Sequence, residues 1–90
     1  MKQYYFLEGH KAKTDYSQED TLVFEDSRAY ASVETAIAKA KGSFEDKEEL
    51  GLVVIYKGIK GGDRYAARFI FRDKSGKLEE VDNWWSDHAF

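Results

Sequence analysis

The side chains that could support chemistry are few and poorly placed for it. His10 and His88 are the only histidines. Asp87 stands beside His88, a pairing that could orient an imidazole as a base or a metal ligand. Adjacent residues of an extended chain point to opposite sides, however, and no third ligand follows at a recognisable spacing. His88 therefore reads as a solvated terminal histidine, and His10 falls in a polar stretch that reads as a loop. Gly58-Ile59-Lys60-Gly61-Gly62 has the glycines and the lysine of a phosphate loop. It lacks the Gly-Lys-Ser/Thr ending and a following helix, so it reads as a hairpin turn. The acids at Asp15, Glu19, Asp20, Glu25 and Asp26 do not match a calcium-loop spacing, and the serines sit in no nucleophile motif. No cysteine is present, which excludes a disulfide framework, a thiolate zinc site and a cysteine nucleophile. The expectation is a protein that is not an enzyme and that needs no cofactor or metal.

Charge is laid out unevenly. Residues 57–77 carry seven basic side chains (Lys57, Lys60, Arg64, Arg68, Arg72, Lys74, Lys77) against Asp63 and Asp73, a local +5. Residues 1–56 sum to −4 from seven basic and eleven acidic residues, and residues 78–90 add a further −4, giving the total of −3. A small net charge thus conceals a basic band between two acidic ones, a field that can steer a partner.

Ninety residues make one domain, too short for two cores. A chain that is 42% hydrophobic and 34% charged has the balance of a globular protein rather than a disordered one. Six Tyr, six Phe and two Trp supply much core area per residue, which suits a thin fold with few elements. The segment Met1 to Glu8 is too short and too polar to read as a signal peptide, and no apolar run approaches the roughly 20 residues of a membrane span. The expected location is cytoplasmic, which also fits a virus-encoded protein acting inside a cell.

Tyr4-Tyr5-Phe6-Leu7 reads as a first strand ended by Glu8-Gly9, and Gly9 to Asp20 as a long polar loop. Thr21 to Glu25 is a second strand candidate. A helix is predicted over about 32–42: Ser32 as N-cap, Glu34 in the first turn, Val33, Ala36, Ile37 and Ala40 at helical spacing, and Gly42 as a left-handed C-cap. Leu52 to Tyr56 then begins a three-stranded antiparallel meander. Gly61-Gly62 is placed for a two-residue hairpin before Tyr65 to Arg72. Lys74-Ser75-Gly76 suits a three-residue loop before a last strand from Leu78 to about Trp85. The fold class is α+β, with the helix on one face of the sheet.

The turns set a register. Opposed residues of the second hairpin sum to 150, which puts Phe69 across from Val81, Ile70 from Glu80, Arg68 from Asp82 and Tyr65 from Trp85. Those of the first sum to 123. One face then holds Leu52, Val54, Tyr56, Tyr65, Ala67, Phe69, Phe71 and Val81, and is predicted to lie under the helix. The other combines Lys57, Arg64, Arg68 and Arg72 with Val53, Ile55, Ile70 and Trp84. Cross-strand pairs with Glu80 and Asp82 would neutralise part of its charge, and the N-terminal strands or a second copy could cover it.

Left exposed, that second face has the Arg and Trp enriched at binding hot spots. The candidate binding residues are Lys57, Arg64, Arg68, Ile70, Arg72 and Trp84. The leading expectation is a small regulatory protein that engages another protein, for instance a phage-type inhibitor of a host defence system (anti-CRISPR-like). A second reading is a single-stranded nucleic-acid-binding module using the same face, which the overall acidity disfavours. A third is a structural homodimer that buries it. Membrane binding has no support, because the helix lacks a bulky apolar face.

Overall fold

The computed structural model describes residues 2–11, 22–73 and 75–81. Among the described residues, five strands and one helix follow one another as β1 (Tyr4–Lys11), β2 (Leu22–Tyr30), α1 (Val33–Asp46), β3 (Leu50–Gly58), β4 (Arg64–Arg72) and β5 (Leu78–Val81). These five strands pair antiparallel in a single sheet ordered β2-β1-β3-β4-β5. The chain is a small α+β domain with one helix and an antiparallel sheet. The expected meander is present as β3-β4-β5, but it does not stand alone: β1 pairs along β3, and β2 extends the sheet beyond it.

Both N-terminal strands outrun their sequence limits. Gly9, His10 and Lys11, expected in a loop, belong to β1 and pair with β3. β2 continues through Asp26 because its polar stretch bulges rather than ending the strand. Tyr5 faces Tyr30 and Leu7 faces Asp26, so four steps on β2 match two on β1. The Asp26 carboxylate accepts the Arg28 N–H at 2.9 Å and the Tyr30 hydroxyl at 2.6 Å, pinning the bulge. The rest of the expected loop, residues 12–20, lies outside the described residues, as does the end of the last strand beyond Val81.

Helix α1 starts as its sequence predicts. Ser32 is extended (φ −131°, ψ 151°), and its hydroxyl accepts the Thr35 N–H at 3.2 Å. The expected stop at Gly42 is overridden, and the helix runs on to a C-cap at Lys47, whose N–H reaches the Ser43 carbonyl. Phe44 explains this. A mid-helix glycine costs about 1 kcal/mol, whereas burying a phenylalanine contributes about 2–3 kcal/mol. Phe44 is buried against the sheet only if the helix continues past Gly42.

The helix lies on the face opposite to the one expected. Ala36, Ala40 and Phe44 pack with Leu7, Leu50, Val53, Ile55 and Ile70 in the main core. Val53, Ile55 and Ile70 are fully buried. The two small alanines let the helix axis approach this row closely. The face predicted to lie under the helix, with Leu52, Val54, Tyr56, Phe69 and Phe71, is instead the helix-free side. Alternation could not decide between them, since each face carries a run of large apolar side chains. Among the described residues, no helix is long and apolar enough to cross a membrane.

The second hairpin has its predicted register, with Phe69 opposite Val81 and Ile70 opposite Glu80. Gly76 takes φ 87°, and the Asp73 carboxylate accepts N–H bonds from Ser75 and Lys77 at 2.9 Å each. The first hairpin keeps its predicted register from Leu52 opposite Phe71 to Ile55 opposite Arg68, and then departs from it. A bulge between Ile55 and Tyr56 shifts the pairing by one, Gly58 pairs with Arg64, and residues 59–63 form the connection in place of a two-residue turn. The Gly62 N–H bonds to the Ile59 carbonyl at 3.1 Å, with Gly61 at φ 71° in the third turn position, as a type II turn requires.

Candidate interaction surface

The sheet order brings the N-terminal aromatics against the basic first hairpin. Two successive rows cross the three middle strands. Tyr4, Gly58 and Arg64 form one row on the helix-free face, and Tyr5, Lys57 and Tyr65 form the next on the helix side. Gly58 is required where it stands. A Cβ there would come within 2.3 Å of the Asp63 carbonyl and 2.9 Å of the Arg64 Cγ. Without it, the Arg64 side chain crosses β3 and lays its guanidinium 3.6 Å from the centre of the Phe6 ring.

Three lysines complete the cluster. Lys60 Nζ is 4.9 Å from the Tyr4 ring centre and Lys2 Nζ is 5.7 Å from it, while Lys57 Nζ is 5.7 Å from the Tyr5 ring. Cations over aromatic faces are attracted by the ring quadrupole. Among the described residues, none of these four cations has a carboxylate within 4 Å, and Asp63 is the one acid in the connecting loop. Other cations are matched: Lys41 and Arg68 share Glu80 at 2.8 and 3.9 Å, and Arg28 lies 3.6 Å from Asp26. Tyr65, which the register had placed in the core, is 56% exposed at the mouth of this end.

No family model, curated protein or solved structure matches the chain. The functional reading therefore rests on these residues.

The six sequence-predicted binding residues do not form one surface. Lys57 and Arg64 belong to the cluster just described. Ile70 is fully buried beneath the helix. Arg68 lies on the helix side of β4 beside Glu80. Arg72, expected near Glu80, instead donates to the Phe44 backbone carbonyl, with its guanidinium carbon 5.3 Å from the Phe44 ring. It thereby satisfies an acceptor at the electronegative end of the helix. Trp84 and Asp82 lie outside the described residues. Sequence reasoning missed Lys2, Tyr4 and Tyr5 as surface partners of the hairpin. Nothing local signals them, since only the pairing of β1 with β3 brings them there.

A second polar group lies farther along the helix-free face. The Glu8 carboxylate accepts from His10 Nε2 at 2.7 Å and from the Tyr56 hydroxyl at 3.4 Å. Burial, then the Glu8 charge, pushes the Tyr56 phenol up. Glu8 also faces Glu25 across the β1–β2 pair. These contacts hold the side chains to one another, and no group of three candidate metal ligands occurs among the described residues. An open groove of about 460 Å³ lies at the helix C-terminus, lined by Phe44, Glu45, Glu48, Arg72, Gly76 and Leu78. Among the described residues that line it, the one cation is the Arg72 already bonded to Phe44.

Proposed function

We propose that this chain is a small non-enzymatic binding protein that acts by occupying a partner protein, and that the contact is the end of the sheet where β1 meets the β3–β4 hairpin. One observation carries the reading. Four cations without a carboxylate partner among the described residues surround one end of the sheet, Arg64 with Tyr4 on the helix-free face and Lys57 with Tyr5 and the exposed Tyr65 on the helix side. Tyr and Arg are residue types that dominate binding energy at interfaces. A protein that binds without transforming its partner serves as an inhibitor or adaptor, and a phage-type inhibitor of a host defence system is the version its size suits. The test is affinity capture with wild type, with the pair Lys2→Glu/Lys60→Glu, with Tyr65→Ala, and with the helix variant Lys39→Glu as control. A partner held by wild type and the control, and lost from the hairpin-end variants with circular dichroism unchanged, supports the proposal. Retention of every wild-type partner by folded hairpin-end variants ends it. Light scattering on the same preparations reads whether the partner is a second copy.

A further inference from the structure

Resting on that reading, we infer that the partner presents an acidic polypeptide segment to this end, and that Arg64 recognises a carboxylate through the edge of its guanidinium. Three features of the site lead there.

The first is the direction of the field. The cluster sets Lys2, Lys57, Lys60 and Arg64 against Asp63, while the whole chain is −3. The remainder of the molecule therefore repels an anionic partner and this end attracts one, which fixes the orientation of approach.

The second is the state of the rings. Single-strand nucleic-acid sites combine a cationic track with open aromatic faces on which successive bases stack. Here Arg64 covers the Phe6 ring at 3.6 Å, and Lys60 stands over Tyr4 at 4.9 Å. Tyr65 is exposed, but it lies on the opposite side of the sheet from Tyr4 and Phe6. Among the described residues, the Tyr4 and Phe6 faces at this end are taken by the protein's own cations, and no run of platforms remains there for bases.

The third is the state of the guanidinium. Stacking on Phe6 uses its face and leaves the N–H donors around its edge, none of which has an acceptor among the described residues. A planar fork held in place in this way matches a carboxylate in two-point contact. The ring fixes the fork before the partner arrives, so less rotamer freedom is lost on binding.

The experiment uses the full chain and two fluorescein-labelled probes of equal net charge: a peptide of alternating Glu and Gly, and an oligothymidylate. Anisotropy at low salt is expected to show the peptide binding about tenfold more tightly than the oligothymidylate, with affinity falling as salt rises. Lys2→Gln/Lys60→Gln weakens the peptide severalfold. Arg64→Lys also weakens it severalfold, although charge is kept, because the fork is lost. Equal or tighter binding of the oligothymidylate overturns the inference in favour of nucleic acid. Unchanged peptide affinity in Arg64→Lys, with circular dichroism intact, overturns the role of the fork. If capture finds a partner dependent on this end but the peptide does not bind, the acidic-segment inference falls and the binding-protein reading stands. If the peptide binds but capture finds no such partner, the reading itself falls.

Discussion

Arg64 and Phe6 are stacked across an intervening strand: the guanidinium on β4 lies 3.6 Å from the centre of the ring on β1, and β3 runs between them with Gly58 opposite Arg64. One side chain thereby ties β4 to β1, two strands that share no turn and are not neighbours in the sheet. Removing it with Arg64→Ala lowers unfolding free energy by about 1 kcal/mol. In a Phe6→Leu background the same change costs roughly half as much. Urea denaturation of the two single variants and the double measures that difference, and additive losses would show the stack to be a bystander.

Gly58 is the position that the stack depends on. Gly58→Ala sets a methyl against the Asp63 carbonyl at 2.3 Å, so backbone rather than a flexible side chain must move. The expected loss is about 2 kcal/mol, in the range for overpacking. Because the shift carries Arg64 with it, Arg64→Ala adds little in the Gly58→Ala protein. A full additional loss on thermal or urea unfolding would show that the hairpin absorbs the methyl without displacing Arg64.

Residues 70 and 72 separate packing from recognition. Ile70→Ala opens a hole in the main core and costs about 3 kcal/mol. Arg72→Met keeps the aliphatic stem but leaves the Phe44 carbonyl without its donor, lowering stability by about 1 kcal/mol. Neither change alters partner capture in protein that remains folded. If Arg72→Met abolished capture at unchanged stability, the contact surface would have to include the helix C-terminus.

The Asp26–Tyr30 bond gives the β2 bulge a pH dependence at both extremes. Burial alone would raise the Asp26 carboxyl, but hydrogen bonds from Tyr30 and the Arg28 N–H outweigh it and hold the group below its usual value. A depressed carboxyl contributes stability above its unfolded pKa and loses it as pH falls through the lower folded value. Tyr30 runs the other way. Burial, then the hydrogen bond and charge of Asp26, push its phenol up to about 12. Its contribution is complete below the ordinary phenol range and is lost as pH rises through about 12. Tyr30→Phe is expected to cost about 1 kcal/mol at neutral pH and to remove a phenol that ionises near 12 from the ultraviolet titration. A wild-type titration with all phenols ionising near 10 would contradict this placement.

Local signals carried much of this fold. Ser32 fixed the helix start through its own hydroxyl, and the Asp73 carboxylate and the positive φ of Gly76 fixed the β4–β5 register through contacts that involve only neighbours. What escaped was decided at a distance. Phe44 drew the helix through Gly42 because its ring had a place in the core, and that place exists only once the sheet is assembled. The choice of covered face was illegible because Val53, Ile55 and Ile70 on one side are matched by Leu52, Val54 and Phe69 on the other. The basic hairpin was visible as Lys57, Lys60 and Arg64. Its aromatic half was not, since Tyr4 and Tyr5 reach it only through the position of β1 beside β3.

That position also governs how the chain must come together. β1 is made first yet sits inside the sheet, and its inner edge waits for Leu50–Gly58, with about forty residues between Lys11 and Leu50 forming the loop that closes. During synthesis the β1–β2 hairpin leaves the ribosome with one long edge unsatisfied, and it keeps that edge until β3 has emerged. Closure of this seam is the entropically demanding event of folding, while β3, β4 and β5 assemble through short connections.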